Sequence, residues 1–405
     1  MKNKNLIMKK PVLFAIAALA LLASCAKTEV VPVQNDGDQL VSFQTAVSRQ
    51  GTRADELISG TTYPVDETFG TFAYFNAANT AFPTESGLYI PESEVRFKSS
   101  TATAYWATDT PYYWPKQGSL TFFSYSPYDE LNAVTDCDVT DGIQISSWDV
   151  NANQKVDILV ADVRKGETKN TAGTVYNGVP TVFRHKLAQV VNVSFRTEYD
   201  YCGGRTEATA NVGDKFFYVN TVKINNIQYK GSYRSGIDVD GTNLGAWTVD
   251  ADTQSYTWYD VQPTAANPAA GTAFGVTAVA VDPAAKLTNS YLLVMPQTFD
   301  KPADLNSLAS EKTIQISYTI RTCTGVNGSD RTFSTENVKD VVIPLWQIQG
   351  GKDADAVAGT AAVDATPWNM NKKLSYTFII GLDQILWDPS VVDWELQSAF
   401  EQTIK

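Results

Sequence analysis

The sequence predicts an all-β protein made of two tandem β-sandwich domains. Strand-sized segments rich in Val, Thr and aromatic residues recur along the whole 405-residue chain, with 19 Tyr, 18 Phe and 9 Trp in total, and such side chains suit pleated, half-buried surfaces. Pro, Gly, Asn and Asp punctuate these segments at the short intervals of sandwich turns. The length accommodates two full hydrophobic cores.

The one long helix-like run comes first and lies outside the fold. Lys2, Lys4, Lys9 and Lys10 precede the apolar run from Val12 to Ala23, which has the length of a signal-peptide core and is too short for a permanent membrane span. It closes on Leu22-Ala23-Ser24-Cys25, a lipobox: small residues admit the peptidase, and the thiol of Cys25 accepts a diacylglyceryl group. Residues 1–24 are therefore read as a lipoprotein signal peptide and Cys25 as the lipidation site, with several acyl chains giving stable anchoring. Residues 25–53 form a propeptide whose polar stretch Ala26 to Gln39 reaches roughly 45 Å if extended.

The propeptide ends in a strand. Val41, Phe43, Thr45 and Val47 share one face of a period-2 pattern, with Ser42, Gln44, Ala46 and Ser48 on the other, as in a half-buried β-strand. Arg49 and Arg53 follow in a Gln/Gly/Thr context that a protease can grip. The pattern describes a first strand built to be cut away.

Residues 54–190 are assigned to an N-terminal sandwich, on TFGTFAYF, VRFKS, TAYWAT, PYYWPKQGSLTFFSYSP and KVDILVAD. The run VPTVFRHKLAQVVNVSF carries the chain across a boundary placed near residue 190. Residues 191–390 supply the second sandwich, on VKINNIQYKGSY, LGAWTV, SYTWYDV, NSYLLVMPQ, KTIQISYTI, KDVVIPLW and KLSYTFIIGL. Residues 391–405 then alternate again: Val392, Trp394, Leu396, Ser398, Phe400, Gln402 and Ile404 on one face, Asp393, Glu395, Gln397, Ala399, Glu401, Thr403 and Lys405 on the other. A removable strand at one end and a spare one at the other suit donor-strand exchange, with Val392, Trp394, Leu396, Phe400 and Ile404 as the donor's apolar residues. Ordinary pairing of both strands within one sandwich fits the patterning equally well.

Charge and chemistry narrow the function. The formal net charge is −12; the first 53 residues hold seven Lys/Arg against three Asp/Glu, so the remainder carries −16. Such a surface repels phosphate backbones, which argues against nucleic-acid binding. The single histidine, His185, sits in FRHKLAQV without an HExxH or GxSxG motif and reads as a satisfied polar residue rather than a catalytic base. Asp157, Asp162 and Asp393 read as turn or edge residues, so no enzyme activity and no cofactor are expected. Asp149, Asn151, Asn153 and Asp157 imitate a calcium loop, but Gln154 stands where the turn glycine belongs and Val160 where the bidentate acid belongs; Asp238, Asp240 and Asn243 are weaker still, so no metal site is assigned. With Cys25 acylated, Cys137, Cys202 and Cys323 remain. Cys202 and Cys323 each end a strand-like run, leaving a bridge between them open alongside free thiols.

The lipobox, the strand before Thr52-Arg53-Ala54, FGTFAYF, YYWPKQGSLTFFSYSP, VDILVAD, FRHKLAQV, NSYLLVMPQ, and KKLSYTFIIGL followed by VVDWE together resemble the fimbrillin family, pilin subunits of Gram-negative anaerobes of gut and mouth. The resemblance spans the chain from Cys25 onward. It implies two stacked transthyretin-like sandwiches, export as an outer-membrane lipoprotein, and cleavage by a trypsin-like, arginine-specific protease after Arg53, with Arg49 second. It further implies loss of the strand Val41 to Val47 and its replacement by the Val392 to Ile404 strand of a neighbouring fimbrial subunit at the cell surface, supporting adhesion to a host or bacterial ligand. A different reading makes the chain a monomeric surface lipoprotein that binds glycans or host ligands, with Tyr105, Trp106, Tyr112 and Trp114 as a sugar-stacking platform; core packing is the competing role for those rings.

Overall fold

The computed structural model describes residues 39–47, 63–77, 87–99, 104–169, 178–282, 291–299, 310–349, 368–382 and 385–393. Their regular secondary structure is almost entirely strand. In chain order the first half holds β1 (Phe43–Val47), β2 (Phe69–Asn76), β3 (Gly87–Ser99), β4 (Ala104–Thr108), β5 (Ser119–Ser126), a single helical turn α1 (Tyr128–Leu131), β6 (Thr135–Asp138), β7 (Gly142–Asp149), β8 (Leu159–Ala161), β9 (Arg164–Glu167) and β10 (Val179–His185). The second half holds β11 (Ala188–Thr197), β12 (Lys215–Gln228), β13 (Lys230–Arg234), β14 (Ala246–Val249), β15 (Thr253–Asp260), β16 (Thr272–Phe274), β17 (Val279–Ala280), β18 (Leu292–Val294), β19 (Thr313–Asn327), β20 (Asp330–Pro344), α2 (Leu345–Gln349), β21 (Lys372–Ile380) and β22 (Ile385–Asp393).

Eight strands of the first half form one sheet in the order β2-β3-β4-β1-β10-β8-β5-β9, and β5 also pairs with β2. The strands from β2 round to β5 thus close into a ring, which removes the unpaired edges of an open sheet. Val41, Phe43, Phe69, Trp106, Leu120, Phe122, Val179 and Phe183 fill its interior. β2 and β5 are buried along nearly their whole lengths. Their other-facing residues, Phe72, Tyr74, Phe123 and Tyr125, meet Ile143, Ile145, Trp148 and Tyr233 in a second core.

That second core is covered by a four-stranded sheet in the order β14-β13-β7-β6. Here the pairing crosses residue 190: β13 runs antiparallel to β7 through Tyr233↔Ile145 and Gly231↔Trp148. The hydrogen-bonded sheets therefore do not divide at that position. The downstream half is a sandwich of two sheets, one joining β17, β18, β11, β21 and β22 and the other joining β15, β16, β12, β19 and β20. Phe195, Val222, Trp258, Ile316 and Phe378 lie in the core between them. Period-2 alternation lets β18 and its flanks serve both cores, with Leu292 and Val294 in the downstream one and Tyr291, Leu293 and Met295 in the upstream one.

At the seam, Arg184, His185 and Lys186 of FRHKLAQV each meet a polar partner. Arg184 donates from Nε (2.7 Å) and from its terminal nitrogen (3.0 Å) to the two carboxylate oxygens of Asp162. His185 Nδ1 lies 2.5 Å from Asp157 Oδ2, with both residues buried. Lys186 is wholly buried and donates to the Leu244 carbonyl at 3.2 Å. The Asp149 and Asp240 carboxylates accept from Ala152 (2.9 Å), and from Thr242 (2.7 Å) and Asn243 (2.9 Å), in their own turns, as turn residues do. Cys202 and Cys323 are free thiols, so the bridge left open by the sequence is not formed. Cys323 is buried with its sulfur 3.6 Å from the Gly325 carbonyl, while the Cys202 backbone is held in a turn by Asp200.

Candidate functional site

The seat of β1 is where sequence expectation and structure meet. β1 is short because its signal is short: five residues, FQTAV, with Phe43 and Val47 buried, Gln44 exposed, and Thr45 and Ala46 between. Val41, two residues upstream, is buried on the same face. All three buried residues are no more than 2 % exposed.

Both edges of β1 are occupied. On one side it runs parallel to β10, in the register Phe43↔Val179, Thr45↔Thr181 and Val47↔Phe183, and the Val179 amide donates to the Ser42 carbonyl at 2.7 Å. On the other side Phe43 pairs with Trp106 of β4. The Val41 amide donates to the Tyr112 carbonyl at 2.8 Å, and the Trp114 amide to the Gln39 carbonyl at 3.2 Å. β1 is thus the strand that joins β4 to β10 and completes the ring.

An aromatic cage receives its side chains. The Phe43 ring meets Phe69 and Phe122 edge-on, with centroids 5.5 and 5.7 Å away. Tyr63 stacks on Phe183 at 5.0 Å and meets Trp106 edge-on at 5.1 Å. The Tyr63 hydroxyl donates to the Thr68 carbonyl at 2.8 Å and lies 2.7 Å from Ser126 Oγ; burial holds this phenol well above its ordinary pKa, so it stays neutral. Burying Val41, Phe43 and Val47 contributes roughly 1.5–3 kcal/mol each. Removing the strand exposes the rings beneath and leaves one edge of β10 unpaired.

Gly178, just before β10, sets how closely the strands approach. Its φ is +129°, and a Cβ there would lie 2.8 Å from backbone atoms of Phe43 and Ser42, so any other residue would push the strand off its seat.

Of the residues singled out in the sequence, Val41, Phe43, Thr45 and Val47 converge on this seat. Val392 lies in β22, a hairpin strand at the edge of its sheet, and pairs with Lys373 of β21. Cys25, Arg49, Arg53, Trp394, Leu396, Phe400 and Ile404 lie outside the described residues. Trp106 and Trp114 are buried in the core around β1 and Tyr112 packs against it, so these three rings serve the core, while Tyr105 is half-buried. Sequence reasoning missed Gly178, for which the glycine opening the VPTVFRH strand was the available signal. It also missed Tyr63, which no periodicity marks.

Comparison with known proteins agrees with this architecture. A family model described as fimbrillin-like matches residues 52–394. No curated protein matches the chain. Among solved structures, a fimbrial protein from Bacteroides vulgatus is similar at a TM-score of 0.55 and 16 % identity, over 88 % of this chain and 99 % of that one. A putative cell adhesion protein from Bacteroides uniformis aligns at a TM-score of 0.41 and 15 % identity, over 89 % and 99 % of the two chains. The fimbrial anchor protein Mfa2 from Porphyromonas gingivalis aligns at 0.29 and 8 %, over 88 % and 98 %. With a family model spanning the chain from the segment after β1 to the end of β22, the chain belongs to the fimbrillin-like family.

Proposed function

We propose that this protein is a structural subunit of a cell-surface fimbria that polymerises by exchanging strands. The observation that carries the reading is β1 itself, a terminal strand that completes a ring and fills an aromatic cage, with Arg49 and Arg53 directly downstream. On this reading Cys25 tethers the exported precursor to the outer membrane by its acyl chains. A trypsin-like protease then cuts after Arg53, or after Arg49, and β1 leaves. The empty seat takes the C-terminal strand of a neighbouring subunit. Donor and acceptor surfaces differ, so the contact is head-to-tail and propagates as a filament. The partners are therefore other fimbrial subunits, and the chain acts by assembly rather than by catalysis.

Limited digestion with an arginine-specific protease, followed by mass spectrometry and denaturing electrophoresis without boiling, tests this. One cut at Arg53 or Arg49, loss of the β1 peptide and a ladder of stable oligomers are expected. A chain that is cut there but keeps β1 and stays monomeric contradicts the reading.

A further inference from the structure

The seat of β1 has a definite pattern. Its inward positions are apolar at Val41 and Phe43, polar and half-buried at Thr45, and apolar at Val47; Gln44 is exposed and Ala46 half-buried. A replacement strand must repeat that order, because a one-residue slip turns every side chain to the wrong face and a two-residue slip puts a polar group into the cage.

The C-terminal segment contains the order once. Read in the direction of β1, Trp394, Leu396, Ser398 and Phe400 give apolar, apolar, polar, apolar. Starting instead at Val392 places Ser398 where Val47 is buried, starting at Leu396 places it where Phe43 is, and starting at Ser398 places it where Val41 is. Every reversed alignment places Ser390, Ser398 or Gln402 at one of the three buried positions, except the one starting at Trp394, which places Asp388 where Val47 is buried. The intervening residues agree independently. Leu396-Gln397-Ser398-Ala399-Phe400 reproduces Phe43-Gln44-Thr45-Ala46-Val47, with glutamine at the exposed position, a small hydroxyl residue at the half-buried inward one, and alanine where β1 has alanine. The large and small apolar ends are exchanged.

We propose that residues 394–400 of a second copy of this chain occupy the seat in β1's own direction, parallel to β10. Trp394, Leu396, Ser398 and Phe400 then take the places of Val41, Phe43, Thr45 and Val47. This rests on the strand-exchange reading above and adds the direction, the register and the sequence that is copied. Leu396 falls beside Val179 and Ser398 beside Thr181, the partners that Phe43 and Thr45 have in the intact chain. Residues beyond Phe400 are not needed to fill the cage.

Cysteine pairs test the register in full-length chains cut with the arginine-specific protease. Thr181→Cys with Ser398→Cys, and Val179→Cys with Leu396→Cys, are expected to link most subunits into disulfide ladders, while the single-cysteine chains do not. Assembly with linkage instead through Val179→Cys and Phe400→Cys overturns the direction. Linkage through Thr181→Cys and Gln402→Cys overturns the register. Both of those outcomes leave exchange standing, whereas a cut wild-type chain that stays monomeric removes the reading beneath the proposal. If the cage variants do not fold, Ala399→Trp and Gln397→Trp replace them: the first is expected to abolish ladders and the second to leave them within twofold of wild type. Equal behaviour of these two variants contradicts the proposal.

Discussion

Phe43, Gly178 and Lys186 each carry a consequence that can be measured on single variants. Phe43→Ala removes a ring from a cage of close aromatic contacts, and truncation of a buried Phe costs about 3–5 kcal/mol. Chemical denaturation of the uncut chain is expected to show that loss for the transition of the upstream half. Gly178→Ala combines a left-handed backbone with a 2.8 Å approach to β1; it is expected to cost more than the roughly 0.4–1 kcal/mol that a Gly→Ala change gains where the backbone suits alanine, and to make β1 easier to remove by protease. At Lys186, burial pushes the ammonium down from 10.5 to about 7, with Asp162 opposing and Arg184 adding to the shift. Between pH 7 and 10.5 the unfolded chain holds a proton that the folded chain has released, so stability rises with pH across that window. Lys186→Met is expected to flatten this rise, by up to about 1.4 kcal/mol per pH unit, as read from denaturation midpoints from pH 7 to 10. The Leu244 carbonyl keeps the Tyr233 hydroxyl as a donor at 2.7 Å, so the variant leaves no acceptor stranded.

At the scale of the element, β1 is held by backbone pairing to β10 and by a single residue pair to β4. Hydrogen exchange on the cut chain is therefore expected to show β10 amides facing the seat losing protection when β1 leaves and regaining it in the assembled form. Unchanged protection after β1 has gone would mean the ring closes by itself. Much at this scale was legible in the sequence, because alternation and turn residues mark β1, β2, β5, β10, β19 and β21. β22 was not, since Asp388 and Pro389 interrupt its pattern. The strand sits at a sheet edge, where alternate amides face away from the neighbouring strand and a proline can be held. Parallel pairing of β1 with β10 was illegible for a different reason: their separation in sequence gives no local signal of direction.

For the whole molecule, the sequence announces a two-core β protein, but the assignment of strands to sheets is a long-range property. The pairing of β13 with β7, and the division of β18 and its flanks between two cores, tie the halves together across residue 190. A subunit built this way can lose β1 while the four-stranded sheet and the downstream sandwich keep their own pairings. That is what a polymer needs of a building block whose ring is opened and refilled. Among the described residues no helix is long and apolar enough to cross a membrane; the proposed account places attachment at Cys25.

The most direct measurement mixes two half-competent chains. One carries Arg49→Ala and Arg53→Ala and keeps β1; the other is cut with the arginine-specific protease and lacks residues 394–405. Size-exclusion chromatography with light scattering is predicted to show a one-to-one complex and nothing larger, because the first can only donate a strand and the second can only accept one. Two monomer peaks, or oligomers from the truncated chain alone, would contradict the claim that the seat of β1 is refilled by a neighbour's C-terminal strand.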